Sequence, residues 1–290
     1  MAMALKIAAL QKRLGKFTLG PIDLEIEQGT SLGYIGPNGS GKSTTFHCIL
    51  GLLKPNSGHI EVCGASAEPG TATWKKSVGF VLSQQGFYEG LTVDENLKFL
   101  SSFYDDWDQG FANSILKRLH LDSHKKVKVL SAGERVKLSL IGALAHRPQL
   151  LVMDEPTSSL DLIVRSELND IIAELMRSGD HSIFMSSHIL ADVSAVADRL
   201  AFINDGKLVA VSDKDSLMEK WRRISFRSSD LIVDLPGSVK IERDGSLHLV
   251  TTGDADAAIA VLKKMSVEIM ESNRLNLEEI SVNILQGARS

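Results

Sequence analysis

Lys42 and Ser43 end the run Gly36-Pro37-Asn38-Gly39-Ser40-Gly41-Lys42-Ser43, in which a glycine, four residues and Gly-Lys-Ser have the spacing of a phosphate-binding loop. The glycines let the backbone curl until successive N–H groups point at phosphate oxygens. A helix starting at the loop adds the partial positive charge of its N-terminus. Lys42 can then reach the β- and γ-phosphates of a nucleotide, and the Ser43 hydroxyl can ligate magnesium. Asp154 and Glu155 end the apolar run Leu150-Leu151-Val152-Met153. Side chains alternate along a strand, so adjacent carboxylates at its end point in different directions. Asp154 can hold magnesium while Glu155 serves an attacking water as general base. His188 follows the run Ser182-Ile183-Phe184-Met185. A lone histidine often has a purely structural use, but the carboxyl end of a parallel strand is where ligands bind, and there His188 could hydrogen-bond a γ-phosphate. Ser131-Ala132-Gly133-Glu134 has two compatible readings. Ser131 and Glu134 have capping-box spacing, and a serine hydroxyl with free N–H groups at a helix start also binds phosphate.

These residues need elements to hold them. The run 31–35 reads as a buried strand entering the phosphate loop, and a helix is expected from Thr44 onward. Leu24 and Ile26 alternate with Asp23, Glu25 and Glu27, the period of a half-buried strand, and 59–62 alternates in the same way. A small antiparallel sheet beside the loop follows. Apolar strands at 78–82, 150–153, 182–185 and 200–203 alternate with helical stretches, which predicts a mostly parallel sheet. Residues 86–147 break this rhythm as an inserted, mostly helical subdomain. Thr92 and Glu95 open its first helix, 105–108 breaks it, 112–121 is its second helix, and Ser131 starts its third, with Val136, Leu140 and Leu144 on one face. The basic run 125–128 reads as a solvated face. Beyond a linking helix at 215–223, short strands around a helix at 255–264 and a last helix at 275–285 read as a separate α+β domain. The expected organisation is a nucleotide-binding domain over 1–214 and a small accessory domain over 215–290.

Composition sets the outer limits. The 290 residues include 43% hydrophobic and 23% charged residues, ordinary for a globular chain with room for a large core. A net charge of −4 argues against a dominant nucleic-acid surface. There is no apolar run long enough to span a bilayer and no signal-peptide layout at the N-terminus, so a cytosolic protein is expected. Cys48 and Cys63 read as two unrelated buried thiols.

The ordered set 36–43, the Ser83-Gln84 region, Leu130 to Glu134, Leu150 to Glu155, Ser159-Leu160-Asp161 and His188 resembles the nucleotide-binding subunit of the ATP-binding cassette family over residues 1 to about 214. The resemblance implies an α/β fold: a P-loop NTPase, RecA-like core with an antiparallel subdomain and a helical insertion. It implies ATP sandwiched between two such subunits, the phosphate loop of one facing Ser131 and Gly133 of the other. By the same resemblance ATP and magnesium fall to Gly36, Pro37, Asn38, Gly39, Ser40, Gly41, Lys42, Ser43 and Thr44. Asp154 and either Gln84 or Ser83 join Ser43 at magnesium, Glu155 is the general base, Asp161 a cross-dimer contact and His188 the γ-phosphate sensor. Three departures stand out. The signature is Leu-Ser-Ala-Gly-Glu where the family has Leu-Ser-Gly-Gly-Gln; Ala132 for glycine is a mild change, and a glutamate in the place of Glu134 is seen in relatives. The family's loop glutamine falls on Ser83 with Gln84 beside it. The usual place of the adenine-stacking aromatic is near Leu14, with Phe17 the nearest aromatic.

The run 87–97 resembles the transporter branch of the family, where it borders the groove that receives a helix of a membrane subunit. Phe87, Tyr88 and Leu91 read either as core or as an exposed apolar patch rimmed by Glu89, Asp94 and Glu95. The C-terminal domain, with Leu277-Glu278-Glu279-Ile280, resembles the tail of drug, antibiotic or bacteriocin exporter cassettes. The main expectation is therefore the ATPase subunit of an exporter, dimeric, bound to membrane permease subunits on the cytosolic face of the plasma membrane. The rivals are a soluble cassette ATPase acting on DNA, ribosomes or cluster assembly, and a non-hydrolysing ATP-gated module. The acidic net charge speaks against the first, and the presence of both Glu155 and His188 against the second.

Overall fold

A computed structural model describes residues 2–67, 73–82, 86–158, 160–230, 232 and 234–287. The chain divides into two compact units, Met1–Leu208 and Val209–Ser290. This junction lies a few residues before the 214/215 boundary expected from the sequence.

In the first unit, β1 (Met3–Leu14), β2 (Phe17–Glu27), β4 (Ser57–Val62) and β5 (Ala65–Ser66) form an antiparallel sheet in the order β2-β1-β4-β5. Its alternation is that of the sequence: Ile22, Leu24 and Ile26 are buried, and Asp23 and Glu25 are exposed. The second sheet has the order β10-β9-β3-β8-β7-β6. Its strands are β3 (Ser31–Ile35), β6 (Val78–Val81), β7 (Leu150–Asp154), β8 (Ser182–Ser186), β9 (Arg199–Asn204) and β10 (Lys207–Asp213), the last carrying the junction to the second unit. The pairs β9–β3, β3–β8, β8–β7 and β7–β6 are parallel. Every residue of β3, β7 and β8 is buried, as expected of strands covered on both faces. The register decides function: Ser186 stands opposite Tyr34 on one side and Asp154 on the other. The segments leaving β3, β7 and β8 therefore emerge at one edge.

Helix α1 (Lys42–Ile49) packs on this sheet through Phe46, whose ring meets Phe184 edge-on at 4.6 Å, with Tyr34 5.3 Å from Phe184. All three rings are fully buried and give the phosphate loop a rigid floor. The helix begins at Lys42, two residues before the expected Thr44.

The helical insert holds α2 (Val93–Ser101), α3 (Gln109–Arg118) and α4 (Ala132–Leu144). Thr92 and Glu95 do form a capping box at α2. Helix α3 starts at Gln109, not 112, because the Asp108 side chain accepts the Phe111 N–H and caps it. Helix α4 departs further from expectation. From Leu138 to Leu144 it is buried on all sides, not on one face. Helices α5 (Leu162–Arg177) and α6 (Leu190–Val196) complete the unit. Cys48 is buried, whereas Cys63, expected to be buried, is half-buried in a turn; neither is in a disulfide.

In the second unit, α7 (Lys214–Lys220) precedes β11 (Arg222–Arg227), β12 (Ser238–Asp244), β13 (Leu247–Thr252), α8 (Ala255–Lys264), β14 (Glu268–Arg274) and α9 (Leu277–Gly287). The strands form an antiparallel sheet in the order β12-β13-β11-β14. Ile224, Phe226 and Val250 of the sheet pack with Ala258 and Leu262 of α8 into a separate core. Among the described residues no helix is long and apolar enough to cross a membrane.

Candidate functional site

The loop between β3 and α1 is built by its glycines. Gly39 and Gly41 have φ of +79° and +111°, a region that costs other residues strain. Gly36 is needed for space, since a Cβ there would lie 2.3 Å from the Ile203 carbonyl oxygen. Pro37, Asn38 and Gly39 are exposed, while Gly36, Ser40, Gly41 and Lys42 are buried. No side chain caps α1, so its first-turn N–H groups, including those of Ser43 and Thr44, face the loop. Gly206 steadies the loop by donating its N–H to the Ser40 carbonyl at 2.9 Å. Ser40 Oγ is buried without a partner among the described residues, a donor held inside a concave loop. Phe17 lies at the flank: a Cβ on Gly41 would be 3.1 Å from its Cζ.

Lys42 crosses this loop. Its Nζ donates to the Gly36 carbonyl at 2.8 Å and the Pro37 carbonyl at 3.3 Å, and lies 3.8 Å from Glu155 Oε1. Burial lowers its pKa, opposed by the nearby charges of Glu155 and Asp154. A partly desolvated cation aimed into an anion-shaped loop has strong use for a phosphate.

Asp154 is only 2% exposed, and the Ser186 hydroxyl donates to its Oδ1 at 2.6 Å. Glu155 follows in the left-handed region at φ +53°, uncommon for a residue with a side chain. Ser186 holds this turn as well, since the Glu155 N–H donates to its hydroxyl at 3.1 Å and its carbonyl at 3.2 Å. The turn swings Glu155 away from Asp154 and between Lys42 and His188. His188 lies with Nδ1 2.5 Å from Glu155 Oε2, and its own N–H donates to the same oxygen at 3.2 Å. An ionised carboxylate only accepts, so Nδ1 carries the hydrogen.

The structure thus gathers Lys42, Asp154, Glu155 and His188 at one sheet edge. Ser186 was not singled out from the sequence. Its signal was faint: a small polar residue ending an apolar strand, aligned with Asp154 only by the register. Ser131 and Gly133 lie elsewhere, at the start of α4, and among the described residues no hydrogen bond or ion pair joins them to the loop. Ser131 and Glu134 form the capping box, with Glu134 N–H on Ser131 Oγ at 3.2 Å and Ser131 N–H on Glu134 Oε2 at 2.9 Å. Asp161 caps α5, its Oδ1 accepting the Ile163 and Val164 N–H groups at 3.0 and 2.9 Å. Gln84, with Ser83, and Ser159 lie outside the described residues. The basic run 125–128 is not simply solvated, because Lys125 Nζ lies 2.9 Å from Glu134 Oε1. Tyr88 is 55% exposed and Phe87 and Leu91 half-buried, so Tyr88 is not a core residue.

Comparison with known proteins identifies the family. Residues 19–158 match the ABC transporter family. The chain is 32% identical over 234 residues to the bacitracin transport ATP-binding protein BcrA of Bacillus licheniformis, covering 79% of this chain and 76% of that one. It is 28% identical over 269 residues to the fluoroquinolones export ATP-binding protein of Mycobacterium tuberculosis (strain CDC 1551 / Oshkosh), covering 91% and 86%. Among solved structures, an ATP-binding subunit of an ABC transporter superposes with a TM-score of 0.69 at 25% identity, over 74% of this chain and 92% of that one. The chain belongs to the ABC transporter family as one of its ATP-binding, ATP-hydrolysing subunits.

Proposed function

We propose that this subunit powers an exporter by closing over ATP as a dimer, and that each ATP is completed by a second copy or a related subunit. Gly36 to Thr44 cradle the phosphates, Lys42 neutralises them, and Phe17 stacks on adenine. Glu155 takes the proton of the attacking water as the β–γ bond breaks, and His188 holds Glu155 and senses the γ-phosphate. Ser131 and Gly133 at the start of α4 face the γ-phosphate held by the partner copy, with Asp161 near the same interface. Magnesium would be held by Asp154 and Ser43 and, on the family resemblance, by Gln84. Among the described residues no cluster of three acidic, histidine or cysteine side chains forms a protein-only cage, which suits an ion that arrives with its nucleotide. When bound it supplies positive charge to the β- and γ-oxygens. The observation that carries the hydrolytic assignment is Glu155, held between Lys42 and His188 by an uncommon backbone turn.

The working surface of the exporter reading is an exposed aromatic stack. Tyr88 meets Phe99 edge-on at 4.9 Å, Phe99 meets Phe103 at 5.1 Å, and Tyr88 and Phe103 are 55% and 58% exposed. Exposed aromatics in contact mark a protein contact site, and a short helix of a membrane subunit suits it. This docks the protein at the cytosolic face of the plasma membrane. Export, with antibiotic-like cargo chosen by the membrane chains, is supported by the relatives that transport bacitracin or export fluoroquinolones. No nucleic-acid partner is expected. Tyr88→Ala tests the reading: basal ATPase of the isolated subunit should stay near wild type while co-purification with the membrane subunit falls. Undiminished co-purification together with coupled transport would contradict it.

A further inference from the structure

Glu134 places a carboxylate in the first turn of α4, the end assigned above to a γ-phosphate, where the motif of the family has a neutral glutamine in many members and a glutamate in others. Both of its oxygens are engaged. Oε2 accepts the Ser131 N–H at 2.9 Å, and Oε1 lies 2.9 Å from Lys125 Nζ. The hydrogen bond from Lys125 is the main cause that holds its carboxyl below the usual range, so the charge is present at neutral pH.

Lys125 is no loose surface residue. Its carbonyl accepts the Val93 N–H at 3.0 Å, and Lys126 bridges to Thr92. Val127 N–H donates to the Leu91 carbonyl at 2.9 Å, and Lys128 N–H to the Glu89 carbonyl at 3.1 Å. Segment 125–128 is thus stitched along the entry to α2, and Lys125 is presented to the start of α4.

We propose that Lys125 is a positioning residue for ATP, neutralising Glu134 so that the start of α4 can accept the γ-phosphate of a nucleotide held by a second copy. The inference rests on the two-copy site described above. Without Lys125 the Glu134 charge repels the phosphate and offsets the favourable end of the helix dipole. With glutamine at position 134 there is no charge to neutralise, and Lys125 becomes dispensable. A merely structural cap, or a lysine that touched phosphate directly, has no such dependence on the charge of residue 134.

The test is ATP-driven dimerisation of the full chain, followed by light scattering at increasing ATP with magnesium, in a Glu155→Gln background that halts hydrolysis. Adding Lys125→Ala should raise the ATP needed for half-maximal dimer by about 2- to 5-fold, the scale of one partly screened charge. Lys125→Arg should match the parent. Adding Lys125→Ala to Glu134→Gln should change the midpoint by less than about 2-fold, so that the double-mutant cycle is strongly non-additive. A Lys125→Ala midpoint equal to that of the parent, or an undiminished effect beside Glu134→Gln, overturns the neutralising role while the two-copy site stands. A parent that does not dimerise at all overturns the two-copy site, and this inference with it.

Discussion

His188 and Glu155 are joined through a single carboxylate oxygen: Oε2 receives both the Nδ1 ring nitrogen at 2.5 Å and the backbone N–H of His188 at 3.2 Å. A side chain that swings freely cannot be a well-aimed base, and these two contacts, with Lys42 on Oε1, fix its direction. His188→Ala should therefore lower kcat by roughly 10²-fold, the lower end of general-base contributions, with little change in nucleotide affinity. Steady-state ATPase assays beside calorimetric ATP titration check this. A large loss of affinity with kcat preserved would assign His188 to binding alone.

The glycines of the loop should fail in different ways. At Gly36 a methyl group meets backbone and side-chain atoms of Ile203 at 2.3 to 2.8 Å, so Gly36→Ala must distort the loop. At Gly39 nothing lies within 4 Å, and only the φ of +79° resists a side chain. Gly39→Ala should fold with a penalty of about 1–2 kcal/mol in thermal unfolding and bind ATP weakly, because the methyl group stands where phosphate approaches. Gly36→Ala should lose ATP binding altogether. Equal, wild-type affinities in calorimetry would show that this loop does not close on phosphate.

Acid should loosen the helical insert. Backbone N–H groups on Glu95 and Asp108, and Lys125 on Glu134, hold all three carboxyls below their ordinary values. A carboxyl whose folded pKa is depressed adds stability that is complete above its unfolded value and is lost as pH falls through the folded one. The loss therefore begins as pH drops past the ordinary 4.5 of glutamate and continues below the 3.8 of aspartate. Glu95→Gln removes one such charge, so its melting midpoint by circular dichroism should fall less steeply over this window than that of the wild type. Parallel curves would mean the Thr92–Glu95 cap contributes nothing through charge.

What the sequence revealed was local. The phosphate loop, the acid pair after an apolar strand, and the Ser131–Glu134 spacing each lie within a few residues, and spacing alone carries their chemistry. The two sheets of the first unit were legible because period two and uniformly apolar runs distinguish half-buried from buried strands. What stayed hidden depends on register and on distant pairing. Ser186 reaches Asp154 and Glu155 only because β8 lies beside β7, and Lys125 finds Glu134 only after the insert folds. Helix α3 starts earlier than its sequence pattern implies because Asp108, in a run that also looks like a breaker, is its cap. The all-round burial of α4 could not be read from a pattern that also fits a one-sided helix.

The central claim is that Glu155 drives hydrolysis in a site that two copies complete. Glu155→Gln keeps the shape of the side chain but cannot take a proton, so ATP should still close the pair and then remain trapped between its halves. Static light scattering of this variant with saturating ATP and magnesium measures that state directly. The account predicts a stable dimer that returns to monomer when ATP is replaced by ADP. A monomer throughout, or a variant that still hydrolyses ATP at the wild-type rate, would contradict it.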